Sequence, residues 1–301
     1  MSRRTDGGPR RRLAEGGIRA LLLVLASTAT LVVVLIFLFL AREGLPALER
    51  LSPEQLLSRR WQPTSESAPS FGLLPLLAGS GLVTALATLI ALPFGVGGAV
   101  YLASFARARE REILKPVIEL VAAVPSVVLG FFGIVTVGPA LKQLLGLQTS
   151  LNALTGACVL AFMAIPTILT IAEDALRAVP RAHREAALAL GASPWQASWS
   201  VVVPAALPGI GAAVMLGIGR VIGETMAVMM CTGNAAIITC DPTESVRTMT
   251  ATIAAEMGEV VYGGLHYRVL FLIGLLLLSI TLVVNLLAQR WVRASVGGRG
   301  S

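Results

Sequence analysis

Charge is scarce in this 301-residue sequence: Asp, Glu, Lys and Arg make up 14% of it, against roughly 25% in an ordinary soluble domain. With 55% hydrophobic residues and a mean hydropathy of +0.79, that shortage excludes a disordered chain and the pair of soluble domains that the length would allow. The 3 cysteines are too few for a disulfide scaffold. Histidine is confined to His183 and His266, with no HExxH or Cys/His cluster, so no metal site is expected. Lys115 precedes Pro116 and Lys142 precedes Gln143, so neither lysine can close a GxxxxGK phosphate loop. No cofactor and no catalytic residue are therefore expected on this chain. Any ATP and Mg would have to sit on a partner.

What the sequence does have is long apolar runs. They are continuous, unlike the alternating ten-residue segments of a membrane barrel, and a bilayer core takes about 20 helical residues. The expected fold is all-α and integral to the membrane, with six transmembrane helices. The first span is expected at Ala20–Ala41 and the second at Gly81–Phe105, after an outer approach segment. The third is expected at Leu120–Ala140, the fourth within Gln143–Ala172 starting near Asn152, the fifth from Pro204 to Thr232 and the sixth at Val269–Gln289. The corresponding organisation is a basic tail over 1–19, a first span over 20–41, an outer loop over 42–72, a main transmembrane domain over 73–290 and a second tail over 291–301. An apolar first stretch this long exceeds a signal-peptide core, so it is read as a retained span.

The basic residues gather on one face. They lie in the N-terminal tail (Arg10, Arg11, Arg12), the second-to-third loop (Arg107, Arg109, Arg111), the fourth-to-fifth loop (Arg177, Arg181, Arg184) and the C-terminal tail. By the positive-inside rule this face is cytoplasmic and both termini are inside. The net charge of +7 is thereby an orientation signal. No recognition motif accompanies it, and nucleic acid is not expected as a partner.

Four local patterns carry chemical information. The fourth-to-fifth loop reads as two short helices, Arg181–Leu190 and one starting after Ser193-Pro194, meeting at a turn on Gly191. Physically it is either an interfacial amphipathic pair or a docking surface. Arg220 and Glu224 are the only charges inside a span, where each costs about 2.5–3.5 kcal/mol on insertion scales. At i and i+4 they are expected on one helix face, around a Gly219-x-x-x-Gly223 packing pattern. They form either a structural ion pair or a polar element on a substrate path. The planar fork of Arg suits an oxyanion, and a neighbouring carboxylate suits one that still carries a proton, as hydrogen phosphate does. Cys231 and Cys240 flank a short outer segment; a disulfide between them is the expectation and two free thiols the alternative. Pro93, Pro125, Pro139 and Pro166 interrupt span hydrogen bonding, to shape a cavity or to suit packing.

Glu185-Ala186-Ala187, Gly191 and, nine residues on, Val201-x-Val203-Pro204 resemble the EAA loop of ABC-importer permeases. Gly219-Arg220-Val-Ile-Gly223-Glu224-Thr225-Met226-Ala227-Val228, Val124–Gly133 and the segment Val246–Gly258 resemble the C-type (PstC) family of phosphate-importer permeases over about residues 75–290. The resemblance implies a type I (MetI-like) permease core behind an extra N-terminal helix. It implies that Glu185, Ala186, Ala187 and Gly191, in a coupling helix within 180–204, contact the ATPase. It also implies that Arg220, Glu224 and Thr225 line a phosphate path. The partners implied are a homologous PstA-like permease, a PstB-like ATPase dimer, a PstS-like phosphate-binding protein, phosphate itself and the inner-membrane bilayer. The alternatives are another oxyanion such as sulfate or molybdate, the sister PstA subunit, a secondary transporter and a membrane scaffold.

Overall fold

The computed structural model describes residues 9–65 and 68–297. The expected basic tails, 1–19 and 291–301, extend beyond them at 1–8 and 298–301. Six helical segments are long and apolar enough to cross a membrane: Ile18–Arg50, Leu74–Ser104, Ser126–Leu145, Ala153–Arg177, Pro194–Gly223 and Leu265–Arg290. The chain is a multi-pass membrane protein.

Helix α1 (Pro9–Gly44) carries the first span and touches the rest through α14 (Leu265–Gly297), where Phe39 meets Phe271 edge-on. A strap follows. It contains α2 (Ala47–Arg50), α3 (Pro53–Leu56), which is started by a Ser52/Gln55 capping box, and two short antiparallel strands. These are β1 (Trp61–Gln62) and β2 (Ser70–Phe71), which pair Trp61 with Phe71. Leu51, Leu56, Trp61 and Phe71 of the strap bury themselves against Met249, Val269, Leu270 and Ile273.

Helix α4 (Leu74–Ser104) runs unbroken. The expected approach segment before Gly81 is part of the same helix, which starts where Pro75 fits the first turn. The third span also differs from expectation. Leu120–Ala123 belong to a separate helix, α5 (Ala108–Ala123), and the chain turns extended at Val124 (ψ 128°), as a residue preceding proline must. The span itself comprises α6 (Ser126–Phe132), a π-turn over Gly133–Val137 and α7 (Gly138–Leu145). A second π-turn, Ser198–Val202, joins α10 (Pro194–Ala197) to α11 (Val203–Gly223). Each π-turn lies just before a proline, Pro139 or Pro204, whose ring would crowd the carbonyl four residues back in a regular helix. Pro93 and Pro166 sit within continuous helices.

The bundle is organised around α8 (Ala153–Arg177), 61% buried over its span window where the other spans reach 33% at most. Its first amides are satisfied by Asn152 Oδ1, which accepts from Thr155 N (2.8 Å), and by the carbonyls of Glu244 and Pro242, which accept from Ala153 and Leu154. Helices α4 and α11 flank α8 and approach it on glycines. A Cβ at Gly95 of α4 would lie 2.8 Å from Ile168 Cγ2, and one at Gly217 of α11 would lie 2.5 Å from Ile168 Cγ1. Ile168 is thus a wedge between two glycines, the small-residue packing that lets helices associate where no hydrophobic drive separates lipid from protein.

Candidate functional site

Arg220 lies in the last turn of α11 with an exposed side chain. Its Nη1 donates to Thr167 Oγ1 (3.3 Å) near the middle of α8. The expected shared face with Glu224 does not form, and among the described residues no ion pair joins the two. The reason is local: α11 ends at Gly223, and Glu224 is extended (φ −72°, ψ 132°). Its carbonyl accepts from Thr250 Oγ1 (2.9 Å). Its Oε1 accepts from Thr225 N (3.2 Å) and Ala227 N (3.5 Å), at the start of the next helix, α12 (Met226–Cys231). Thr225 Oγ1 donates back to Gly223 O (3.4 Å). Freed backbone groups at membrane depth must find partners, and the side chains of Glu224, Thr225 and Thr250 supply them.

Gly219 and Gly223 do not serve as the expected close-packing pair within this chain. A Cβ at Gly223 would meet nothing within 4 Å, and one at Gly219 only Asn285 Oδ1 at 4.0 Å. Together with Arg220 they leave an open strip of α11. A guanidinium facing hydrocarbon is costly, so this strip suits a second protein surface or water and does not suit lipid.

Thr250 belongs to α13 (Met249–Glu256), whose N-cap is Thr248. The expected outer loop over 246–258 is therefore a buried helix here: Thr250 is 7% exposed and Thr252 is fully buried. Sequence reasoning gave Thr167 no role, and it cited Thr250 only as part of the family-like segment Val246–Gly258. The one available signal was that both are hydroxyls set among apolar neighbours.

At the opposite end of the bundle, α9 (Arg181–Ala189) is followed by Gly191 at φ +87°. Ser193 then accepts from Gln196 N to cap α10. Glu185, Ala186 and Gly191 are exposed and Ala187 half-buried, so a docking partner can reach this turn. Two anchors fix it to the bundle. Arg184 Nη2 donates to Ser104 O at the end of α4 (3.0 Å), and Trp195 packs on Phe105 and Trp199, at 5.7 and 5.5 Å between ring centroids. Beneath α9, the buried carboxylate of Glu173 lies 3.4 Å from Lys115 Nζ and 3.3 Å from Arg177 Nη1.

The expected Cys231–Cys240 disulfide is not formed; both thiols are free. Cys231 ends α12, where it is buried beside Gly133 and donates to Gly130 O (3.4 Å). Cys240 stands exposed in the outer loop. On that face the strap is latched by Glu256. Its Oε1 accepts from Trp61 Nε1 (3.0 Å) and Arg247 Nη1 (2.6 Å), and its Oε2 bonds His266 Nε2 (2.8 Å). Burial pushes this carboxyl up, but the bonds from His266 and Trp61 and the charge of Arg247 outweigh it and hold the group below its usual range.

The sequence pattern of the family described as "Binding-protein-dependent transport system inner membrane component" matches residues 91–296. A Bacillus subtilis (strain 168) protein named "Probable ABC transporter permease protein YqgH" is 39% identical over 273 residues, covering 90% of this chain and 86% of that protein. The protein named "Phosphate transport system permease protein PstC 1" from Mycobacterium tuberculosis (strain ATCC 25618 / H37Rv) is 36% identical over 247 residues, covering 74% of this chain and 72% of that one. A permease of the MetNI methionine ABC transporter in an inward-facing conformation shares the fold, with a TM-score of 0.56, 24% identity and coverage of 74% of this chain and 94% of that one. A bacterial alginate ABC transporter chain does so with a TM-score of 0.62 and 16% identity, over 94% of this chain and 99% of that one. With the match running through α4 to α14, the chain belongs to the binding-protein-dependent transport system inner membrane component family, the permeases of ABC importers.

Proposed function

We propose that the chain is the C-type permease subunit of an ATP-driven phosphate importer, set in the inner membrane with both termini cytoplasmic. The relatives named as phosphate permeases support the substrate, and the basic loops around α5 and α9 support the orientation. The observation that carries the reading is Arg220. It is an exposed guanidinium in the last turn of α11, held by one neutral hydroxyl, beside a helix break that presents the carboxylate of Glu224. That pairing offers a fork of donors for an oxyanion and an acceptor for the proton that hydrogen phosphate still carries.

A PstA-like permease would face the open strip of α11, so that the path runs between the two subunits. A PstS-like binding protein would deliver phosphate from outside. A PstB-like ATPase dimer, binding ATP and Mg, would grip the α9–Gly191–α10 turn, with Glu185, Ala186, Ala187 and Gly191 in contact. Closure of the ATPases would move α9, and Arg184 and Trp195 would pass the motion to α4. The chain is a conduit and performs no covalent chemistry. The test is phosphate uptake by Arg220→Gln and Glu224→Gln variants that still assemble. Each loses at least one charge-assisted contact, and uptake should fall about tenfold or more. Wild-type uptake in both would overturn the reading.

A further inference from the structure

The cavity under α9 contains more positive charge than the fold uses. It is a cleft of about 450 Å³ at the cytoplasmic end of the bundle, between α9 and the ends of α4, α5 and α8. Arg111, Arg177, Arg181 and Arg184 line it, with Glu185 as its one acidic lining residue and Ser104 at its edge. Arg177 is engaged with Glu173. Arg111 Nη2 donates to Leu102 O and Arg184 Nη2 to Ser104 O, so each of these two is engaged through one end of its fork. The Nε of Arg111 and that of Arg184 are buried with no hydrogen-bond partner among the described residues. Arg111 Nε lies 3.7 Å from Glu173 Oε1, beyond hydrogen-bond reach. Arg181 is exposed at the start of α9, with no ion pair among the described residues. A buried donor left without a partner costs free energy, and forked guanidinium donors converging on one cavity match a tetrahedral oxyanion.

We infer that this cavity is a second anion site, distinct from the membrane path, which takes a phosphate group either as free inorganic phosphate or as an anionic lipid headgroup. Its members come from three elements: Arg111 from α5, Arg177 from α8, and Arg181 and Arg184 from α9. An anion bound here adds a tie between the coupling turn and the bundle beside the existing anchors, Arg184 on Ser104 O and Trp195 on Phe105. Occupancy therefore stiffens the junction through which α9 moves.

The experiment uses the assembled permease–ATPase complex in nanodiscs without nucleotide, in an Arg220→Gln background that disables the membrane-path site. Failure of the proposed transport site then leaves the result readable. In neutral phosphatidylcholine discs, inorganic phosphate is titrated and followed by phosphorus NMR line broadening. In discs containing phosphatidylglycerol, native mass spectrometry counts the anionic lipid retained. Saturable broadening that Arg181→Gln and Arg111→Gln each weaken about tenfold identifies free phosphate as the occupant. Phosphatidylglycerol retention that the same variants reduce identifies a headgroup. Neither signal in the Arg220→Gln complex, or signals undiminished in both further variants, overturns the site.

Discussion

Arg220 of α11 is tied to Thr167 of α8 across 3.3 Å, while Glu224, four residues along the same chain, turns its carboxylate back onto the amides of Thr225 and Ala227. Two charges that the sequence sets side by side are thus held by separate neutral partners. Among the described residues neither has an ion-pair partner, and an oxyanion passing between them would meet both.

Thr167→Val removes the hydroxyl and keeps the volume. Uptake should fall several-fold as Arg220 loses its tether, with a neutral hydrogen bond contributing about 1 kcal/mol. Thr167→Ser should keep most of it. Equal uptake in both variants would show that the tether does not position Arg220.

Gly217→Val and Gly95→Val drive a branched side chain into Ile168. Overpacking of this kind costs about 1–3 kcal/mol, so thermal melting of the purified protein should drop in each. Combining either with Ile168→Ala should recover part of the loss, because the wedge is then gone. Two losses that simply add would place the clash elsewhere.

Gly191→Val forces a β-branched residue to φ +87°, a conformation that costs an L-residue about 1–2 kcal/mol. The turn should shift, and ATP should be hydrolysed without matching phosphate uptake. The ratio of the two rates in proteoliposomes measures this; an unchanged ratio would remove the coupling role from the turn.

Cysteine labelling of the folded, unreduced protein should modify Cys240 readily and Cys231 only after unfolding, since the first is exposed and the second buried. Intact mass reports the number of labels. A protein whose thiols both resist labelling until a reductant is added would restore the bridge.

The strap should be pH-dependent through Glu256. Its carboxyl titrates below the unfolded value, so the latch is fully present above the ordinary carboxylate range and is lost as pH falls through the folded value. Hydrogen exchange across the strap, residues 45–73, should accelerate at acid pH. Glu256→Gln should already exchange fast at neutral pH and respond less to acid.

The parts of this fold that sequence reveals are those set by local chemistry. The six apolar runs and the α9–Gly191–α10 turn depend on neighbours along the chain: a serine cap, a proline in the first turn, a glycine past the helix end. What escaped depends on contacts between distant segments. The i, i+4 rule for Arg220 and Glu224 assumes that the helix continues, but it stops at Gly223, and Thr250, twenty-six residues on, donates to the freed Glu224 carbonyl. The small-x-x-x-small pattern picks out Gly219 and Gly223, yet close neighbours within this chain are admitted elsewhere, as at Gly95 and Gly217, which lie in different helices and share Ile168. Cys231 and Cys240 are close in sequence, but α12 carries the first inward against Gly130 and Gly133.

The interruption at Gly223–Thr225 divides the fifth span into two levers. The inner arm, α11, rests on α8 and leads through a π-turn to the coupling turn. The outer arm, α12, is seated on α6, where Gly130 faces Met230 and Ala227. On the proposed coupling role, a push entering at α9 would travel along the first arm and reach the break at Gly223–Thr225 before the second. Arg220 stands on that first arm and Glu224 at the break, so a stroke that tilted α11 would change the spacing between these two groups.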